Sequence, residues 1–342
     1  KYNSMSMRIL AIETSCDETA IAIMEASGGL KRPQFKVLAD VVSSQIKIHR
    51  PFGGVVPILA KREHIKNLPI VFKKILHQFK IPPRFAGAKL EIDLIAVTVG
   101  PGLEPALWTG INFAKELAKK INKPLIGVNH LEGHIYSNWL KPTRKFSIFS
   151  PEARLARSGN FQFSKKSKIR NSSNKISFPA ILLLVSGGHT ILLLMKSLTK
   201  WKILGETRDD AAGEAFDKVA RMLNLPYPGG PEVEKLTKGF SILNKQSVPK
   251  DLINFPRPMI HDKNYDFSFS GLKTAVLYYL RDHQNSKSEI GNQKSEICAS
   301  FQQSVIDVLV HKTLRAAKEF KTKSVLLCGG VASNKMLQRE FR

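Results

Sequence analysis

The sequence contains few cysteines and no apolar run long enough to cross a membrane. Only three of its 342 residues are cysteine, and no two of them are spaced as C-x-x-C. This argues against a disulfide framework and against a thiolate zinc site, and it favours a reducing cytoplasmic compartment. The most apolar run, residues 180–195, is interrupted by Ser-Gly-Gly-His, and the N-terminus lacks the apolar core of a signal peptide. We therefore expect a cytoplasmic protein without membrane contact.

Acidic residues are also scarce, since 28 Asp and Glu stand against 53 Lys and Arg, which gives a formal net charge of +25. Such an excess predicts a polyanionic partner, most often nucleic acid, although basic loops alone would produce the same balance. Ten of the basic residues fall within 141–178, which carries a single acid, Glu152, and no hydrophobic period. We interpret this stretch as an inserted basic loop, which either contacts a nucleic-acid backbone or is simply solvated.

The chain repeats one plan of structural elements. Each half is predicted to contain an apolar hairpin with a polar tip, then a long helix, a buried strand that ends in a glycine turn, and a further helix. In the first half these elements are residues 8–24, 57–79, 92–102 and 106–121, and in the second half they are 179–195, 297–320, 324–330 and 333–341. The Lys/Glu-rich stretch 282–296 is predicted to be a flexible loop.

This repeat predicts an α/β protein with a duplicated two-lobed actin-like ATPase fold, in which the glycine turns of both lobes face a cleft. A single doubly wound sheet explains the repeat less well. The expected domains are a first lobe at 7–135, a basic insertion at 136–178 and a second lobe at 179–342.

The segment 129–134 reads N-H-L-E-G-H and predicts a metal site. If it is helical, His130 and His134 lie four residues apart on one face, and both imidazoles can reach one ion. A hydrogen-bonded surface pair is the alternative. Glu132 would lie about 200° around the helix from His130, facing away from such an ion, so we disfavour a metalloprotease of the H-E-x-x-H kind.

Other polar turns suit phosphates or cations. The turn E-T-S-C-D-E-T carries Asp17 and Glu18. It can contact a phosphate through backbone N–H groups or hold a cation through its carboxylates, and an ordinary polar hairpin tip is the alternative. The glycines that follow Ser186 let a backbone approach a phosphate because they lack a Cβ atom. The acids Asp209, Asp210, Glu214 and Asp217 form a cluster that can hold a cation or present acceptors to a ribose or an amine. For Asp209 or Asp210 we prefer a role as the N-cap of a helix.

Nine motifs in consistent order, from about residue 7 to the end, resemble the TsaD family of bacterial-type tRNA N6-adenosine threonylcarbamoyltransferases, once described as sialoglycoprotein endopeptidases. The motifs are IETSCDET (12–19), GGVVP (53–57), GPGL (100–103), NHLEGH (129–134), LVSGGHT (184–190), DDAAGEAFDK (209–218), YPGGP (227–231), FSFSGLKT (267–274) and GGVASN (329–334). The resemblance implies transfer of a threonylcarbamoyl group from threonylcarbamoyl-AMP to N6 of adenosine 37, next to the anticodon, in tRNAs that read ANN codons.

The resemblance also implies roles for particular residues and partners. His130 and His134 match ligands of a metal that is usually Fe²⁺, one per subunit, with Zn²⁺ or Mg²⁺ as substitutes. Asp17 and Glu18 match an acidic turn associated with activity. The positions that match the adenylate site are Leu184, Val185, Ser186, Gly187, Gly188, Asp217, Gly230 and Asn334, with Glu234 as a weaker match. The implied partners are tRNA, threonylcarbamoyl-AMP and homologues of TsaB and TsaE.

One feature of the family pattern is not found. A third metal ligand, an aspartate in a motif like D-N-G-A-M-I-A, would follow the G-G-V-A-S-N helix, but the sequence ends at Arg342. We therefore expect a truncated product with an incomplete metal shell. Two alternatives stay open at this point: another actin-like enzyme such as a small-molecule kinase, and an inactive scaffold of a tRNA-modification complex. The N-H-L-E-G-H motif and the basic charge disfavour the kinase.

Overall fold

A computed structural model describes residues 6–30, 33–79, 91–141, 176–237, 253–283 and 287–341. The chain divides into two compact units, Lys1–Ser158 and Gly159–Arg342. The predicted lobes fall one within each unit. The predicted basic insertion lies almost entirely outside the described residues, and its interpretation stays a prediction.

The first unit contains a sheet with strand order β5-β4-β1-β2-β3-β6. β1 is antiparallel to β2, and β2 to β3, whereas β1, β4 and β5 run parallel. The strands are β1 (Met7–Glu13), β2 (Glu18–Ser27), β3 (Gln34–Ser44), β4 (Leu94–Gly100), β5 (Leu125–Asn129) and β6 (Leu140–Lys141), and the helices are α1 (Ile46–His49), α2 (Pro57–Gln78), α3 (Glu104–Ile121) and α4 (His130–Tyr136).

Helices α2 and α3 pack on the first sheet, whose strands β1, β2 and β3 alternate buried and more accessible residues. Leu10 and Ile12 of β1 point into a core that also contains Leu68 of α2 and Leu117 of α3. Pro57 begins α2, where the N–H that proline lacks is not needed for a helical hydrogen bond. This packing holds the carboxyl ends of the parallel strands at a common edge.

The second unit contains a sheet with strand order β10-β7-β8-β9. Every residue of β7 and β8 is buried, which is why these strands read as continuous apolar runs rather than as alternating ones. The strands are β7 (Ala180–Val185), β8 (Thr190–Met195), β9 (Trp201–Glu206) and β10 (Ser324–Cys328), and the helices are α5 (Ala212–Met222), α6 (Gly229–Leu236), α7 (Ser270–Asp282), α8 (Lys287–Glu319) and α9 (Lys335–Glu340).

The two sheets confirm the predicted internal repeat. In each unit an antiparallel hairpin leads to a third antiparallel strand, and a later strand pairs in parallel with the first one. The third strands, β3 and β9, were not predicted, and the loop prediction for 282–296 is wrong where α8 begins at Lys287. No helix in the described ranges is long and apolar enough to cross a membrane.

Candidate active site

The histidine pair of the first unit lies where three parallel strands end. Since β1, β4 and β5 are parallel neighbours, their carboxyl ends meet at one edge of the sheet. Asn129 ends β5 and caps α4, because its Oδ1 accepts hydrogen bonds from the N–H groups of Leu131 at 2.8 Å and Glu132 at 3.3 Å. The cap starts the helix at His130. The rings of His130 and His134 lie edge to face with centroids 4.7 Å apart. The segment is therefore helical, and the two imidazoles share one face, as the metal hypothesis requires.

Glu13, the last residue of β1, binds His130 and was not among the predicted site residues. Its Oε2 lies 3.2 Å from Nδ1 of His130 and accepts a hydrogen bond from the Thr98 hydroxyl at 2.6 Å. The Ser15 hydroxyl also approaches Nδ1 of His130, at 3.1 Å. Burial alone would raise the pKa of Glu13, but the hydrogen bonds from His130, Ser15 and Thr98 outweigh it and hold that pKa at about 2.

The Glu13 carboxylate determines which ring nitrogen of His130 is available to a metal. A carboxylate can only accept, so Nδ1 of His130 carries the proton and the neutral ring presents its lone pair at Nε2. Carboxylates orient metal-binding histidines in this way in many proteins. Within the described part of the chain, no group of three or more His, Cys, Asp or Glu side chains could hold a metal. The predicted iron site thus has two imidazole donors here and stays a prediction.

The turn between β1 and β2 carries the predicted acidic pair. Hydrogen bonds from surrounding segments hold its backbone: Leu103 N–H donates to the Ser15 carbonyl at 2.8 Å, and Gln45 N–H donates to the Asp17 carbonyl at 2.9 Å. Protein atoms crowded around the Glu18 carboxylate desolvate it and raise its pKa to about 7, although solvent still reaches the residue. The charges of Asp17 and Glu13 act in the same direction.

The second unit brings its glycine turns to one edge in the same way. β7 and β10 are parallel, so the turn 186–188 and Gly329 lie at neighbouring strand ends. Gly213 N–H, in the first turn of α5, donates to the Ser186 carbonyl at 3.1 Å, which seats the turn on the N-terminus of α5. Gly329 has a φ of +90°, and a Cβ there would lie 2.3 Å from the Val185 carbonyl oxygen. Only glycine permits this approach of the two strand ends.

Three predicted adenylate-site glycines face open space. A Cβ added at Gly187, Gly188 or Gly230 would meet no heavy atom within 4 Å, and none of the three has a left-handed φ. The chain's own packing therefore does not require glycine at these positions. Open glycines beside the N-terminus of a helix are what a phosphate needs in order to approach the backbone.

The remaining predicted adenylate positions have partners within the protein. Leu184 and Val185 are fully buried in β7. Asp217 Oδ1 accepts the Gly229 N–H at 2.6 Å, at the start of α6. Asn334 Oδ1 caps α9 by accepting two backbone N–H bonds, each at 3.0 Å, and its Nδ2 donates to Gln302 Oε1 at 2.7 Å. Glu234, the weaker candidate, accepts the backbone N–H of Lys335 at 2.8 Å. Direct contact of Asp217 or Asn334 with an adenylate stays a prediction.

The prediction that Asp209 or Asp210 caps a helix N-terminus is confirmed for Asp209, but the capped helix is α7 and not α5, which follows it directly. Ala211 precedes α5, whereas Asp209 accepts the N–H groups of Phe269 at 2.8 Å and Ser270 at 3.2 Å, at the start of α7. Asp210 instead pairs with Lys218 at 2.6 Å and with Lys273 at 2.9 Å. Asp209 is therefore a cap, but for a helix some 60 residues further along the chain.

Comparison with known proteins gives the family. Residues 36–160 and 166–342 match the family "TsaD: tRNA N6-adenosine threonylcarbamoyltransferase". A protein of that name from Thermosipho melanesiensis is 46% identical over 332 residues, which cover 97% of this chain and 84% of the relative. A protein of the same name from Moorella thermoacetica is 45% identical over 334 residues, with 98% and 82% covered.

A solved structure shares the fold. The crystal structure of HypF from T. kodakarensis aligns with a TM-score of 0.51 and 13% identity, covering 98% of this chain and 44% of that chain. At this identity the likeness concerns the fold alone, and with the repeated sheets it supports the predicted actin-like α/β fold. The family match spans segments of both units, and the two relatives each share almost half of their aligned residues with this sequence. The chain belongs to the TsaD family of tRNA N6-adenosine threonylcarbamoyltransferases.

Proposed function

We propose that this chain uses threonylcarbamoyl-AMP as its donor and modifies adenosine 37 of tRNAs that read ANN codons. The general activity follows from the family: the chain is a transferase that modifies N6 of a tRNA adenosine with a threonylcarbamoyl group. The observation that carries the assignment is the family match over 36–160 and 166–342, which includes the histidine pair and the open glycine turns. The donor, the codon set and the residue roles below belong to the proposal.

The reaction is an acyl transfer that needs orientation and charge stabilisation. The N6 amine of adenosine attacks the carbamoyl carbon, a new N–C bond forms, and the bond from that carbon to the phosphate oxygen breaks. AMP leaves with the electron pair, and N6 loses one proton. Negative charge grows on the carbamoyl and phosphate oxygens, so groups that stabilise it accelerate the step.

The second unit offers a place for the AMP part of the donor. Gly187 and Gly188 are exposed next to the N-terminus of α5, where backbone dipoles favour a phosphate. Gly230, in the first turn of α6, is likewise open. We assign the ribose to the neighbourhood of Asp217, whose carboxylate begins α6, and the adenine to that of Asn334. Leu184, Val185 and Ser186 shape this edge through their backbone.

We assign the metal ligands to the first unit. Two neutral imidazoles are suitable ligands for Fe²⁺. Glu13 fixes the proton of His130 at Nδ1, which leaves Nε2 for the metal, and the ring of His134 lies beside the ring of His130. His130 and His134 would hold the ion, with Zn²⁺ or Mg²⁺ as substitutes. When bound, the ion would supply positive charge for the oxygens that become negative during transfer.

Asp17 and Glu18 are the proposed catalytic acids of the turn. The pKa of Glu18, raised to about 7, suits a group that exchanges a proton near neutral pH. The net charge of +25 suits a tRNA substrate, whose binding should weaken steeply with salt. Homologues of TsaB and TsaE are the proposed protein partners, and the cytoplasm is the proposed location.

The test compares His130→Ala with a matched histidine variant. His77 is exposed near the end of α2 in the same unit, so His77→Ala controls for loss of an imidazole. Each protein is incubated with Fe²⁺, threonylcarbamoyl-AMP, an ANN-reading tRNA and the partner homologues, and the nucleosides are analysed by mass spectrometry. We expect modified adenosine from the wild type and His77→Ala, and loss of product and bound iron in His130→Ala. Bound tRNA without any product from the wild type would favour the scaffold alternative.

A further inference from the structure

Four buried polar side chains form a hydrogen-bonded chain beneath the turn that carries Asp17 and Glu18. These are Thr19, Gln45, His49 and His64, each at most 1% exposed. They come from β2, the residue before α1, α1 itself and α2. The mechanism above assigns no role to any of them, yet burying polar groups is costly unless their hydrogen bonds are specific.

The hydrogen bonds among these four side chains determine which nitrogen of His49 and of His64 carries the proton. The backbone N–H of Val56 donates to Nδ1 of His49 at 3.2 Å, so that nitrogen carries no proton. The proton of His49 is therefore on Nε2, which donates to Gln45 Oε1 at 3.1 Å. With its oxygen used in this way, Gln45 directs its amide NH₂ at Nδ1 of His64, at 3.3 Å.

His64 must then accept at Nδ1 and donate at Nε2. The Thr19 hydroxyl also lies close to its Nδ1, at 2.8 Å, and Nε2 donates to the Cys16 carbonyl at 2.9 Å. These hydrogen bonds form a relay through His49, Gln45 and His64, which runs in one direction from the Val56 N–H to the Cys16 carbonyl. Gln45, His49 and His64 each act as both donor and acceptor, Thr19 adds a second donor to His64, and both imidazoles are neutral Nε2–H tautomers.

The relay completes the support of the turn backbone. Three successive carbonyls accept hydrogen bonds: Ser15 from Leu103 N–H, Cys16 from His64, and Asp17 from Gln45 N–H. A backbone held at three consecutive peptide groups has one conformation. In that conformation the Ser15 hydroxyl lies 3.1 Å from Nδ1 of His130.

We propose that His64, supported by Gln45 and His49, is a positioning residue for the transfer reaction. By holding the Cys16 carbonyl it keeps Asp17 and Glu18 in place and Ser15 against His130. The catalytic part of this inference rests on the proposed function, whereas the tautomers and the held turn do not. Neither histidine is expected to touch a substrate.

The surroundings favour the neutral rings. Burial lowers the pKa of His64, and a charge on His49 would lower it further. The hydrogen bond to the Cys16 carbonyl and the charges of Glu13 and Asp17 raise that pKa, but burial outweighs them. Burial also lowers the pKa of His49, against Asp17 and Glu63. If Nδ1 of His49 were protonated, its N–H would face the N–H of Val56, and the hydrogen bond between Val56 and His49 would be lost.

The first experiment reads the tautomers directly. Long-range ¹H–¹⁵N correlation spectra of histidine-labelled protein are recorded from pH 8 to pH 5, with assignment through His49→Gln, His64→Gln and His77→Asn. We expect His49 and His64 to stay neutral with protonated Nε2 as the pH falls through 6.5, the ordinary pKa of histidine. An Nδ1–H tautomer in either buried ring, or titration at the ordinary histidine pKa, would overturn the relay.

The second experiment separates positioning from general stability. In His64→Gln the amide nitrogen is expected to lie where Nε2 of His64 lies and to keep the bond to the Cys16 carbonyl, whereas the shorter side chain of His64→Asn is expected to reach only Thr19. For His64→Asn we expect kcat to fall about 10- to 100-fold with KM for tRNA unchanged, and for His64→Gln a value within about threefold of wild type. His77→Asn serves as the control on the same helix.

The possible outcomes are distinguishable. Folded His64→Asn and His64→Gln proteins with equal kcat would refute the positioning role, as would a change confined to KM. Absence of transfer in the wild type, with its partners present, would refute the proposed function and with it the catalytic consequence of the relay. The spectra would still decide whether the turn is held as described.

Discussion

Replacing Gly187 by alanine should weaken ligand binding without harming the fold. A Cβ at this position meets no heavy atom within 4 Å, and its φ is not left-handed. Gly329, which lies at the neighbouring strand end, is the contrasting case, since its φ is +90° and a Cβ would lie 2.3 Å from the Val185 carbonyl oxygen. Two Gly→Ala variants at one edge of one sheet should therefore behave in opposite ways.

The magnitudes follow from these contacts. At Gly187, alanine restricts the unfolded chain and strains nothing, so stability should be unchanged or rise by about 0.4–1 kcal/mol. At Gly329, alanine adds backbone strain of about 1–3 kcal/mol and a clash with backbone of similar size. The free energy of unfolding should fall by about 2–6 kcal/mol in total, which lowers Tm by roughly 4–24 °C for a unit of this size.

For ligand affinity the order of the two variants should reverse, with Gly187→Ala losing more affinity than folded Gly329→Ala. A methyl group at Gly187 occupies space that we assign to a phosphate, and crowding of about 1–3 kcal/mol corresponds to a loss of about 5- to 150-fold in affinity. Calorimetric titration with AMP measures this affinity, and scanning calorimetry measures Tm on the same samples. Gly187→Ala protein that binds AMP as tightly as wild type would refute our account of the open turn. Wild-type Tm in Gly329→Ala would refute our account of the strand ends.

Three further predictions concern the first unit. Glu13→Gln should weaken metal binding about 10- to 100-fold because it no longer orients His130, as measured by Zn²⁺ competition; unchanged affinity would contradict this. Gly110→Ala places a Cβ 2.2 Å from the Thr14 hydroxyl and should cost about 1–3 kcal/mol in chemical denaturation, much of which Thr14→Ala should restore in the double variant. Because His49 and His64 have lowered pKa values, the unfolded chain binds more protons below pH 6.5, so Tm should fall as pH drops from 6.5 and should fall less in His64→Gln. A Tm that is flat across this range would contradict neutral buried rings.

The repeat was predictable from the sequence because hairpins and glycine turns are local signals. The third strands, β3 and β9, were not predictable from the sequence, and the reason differs between the two. In β3 the alternation relies on small or β-branched residues such as Ala39, with Asp40 between them. In β9 there is little alternation at all, and its support comes from a distant segment that approaches Gly205. The stretch 282–296 shows the opposite error, since its charged composition resembles a loop while most of it begins α8.

The site was predictable to the same extent. The spacing of His130 and His134 is enough to predict a shared helix face, given an Asn cap before them. Glu13 could not be found in this way, because it is 117 residues from His130 and meets it only through parallel strand pairing. The same holds for the relay under Asp17, whose members come together only once α2 has packed on β2. Residue spacing along the sequence predicts which side chains share a helix face, whereas their hydrogen-bond partners are determined by tertiary packing.

The transfer of a labelled carbamoyl group tests the central claim most directly. Threonylcarbamoyl-AMP labelled at the carbamoyl carbon is incubated with the protein, Fe²⁺, the partner homologues and either an ANN-reading tRNA or the same tRNA with guanosine at position 37, which lacks the N6 amine. We predict that label moves to the first tRNA with release of one AMP per label, and that none moves to the second. Label that stays on the donor, or that reaches both tRNAs equally, would contradict the account.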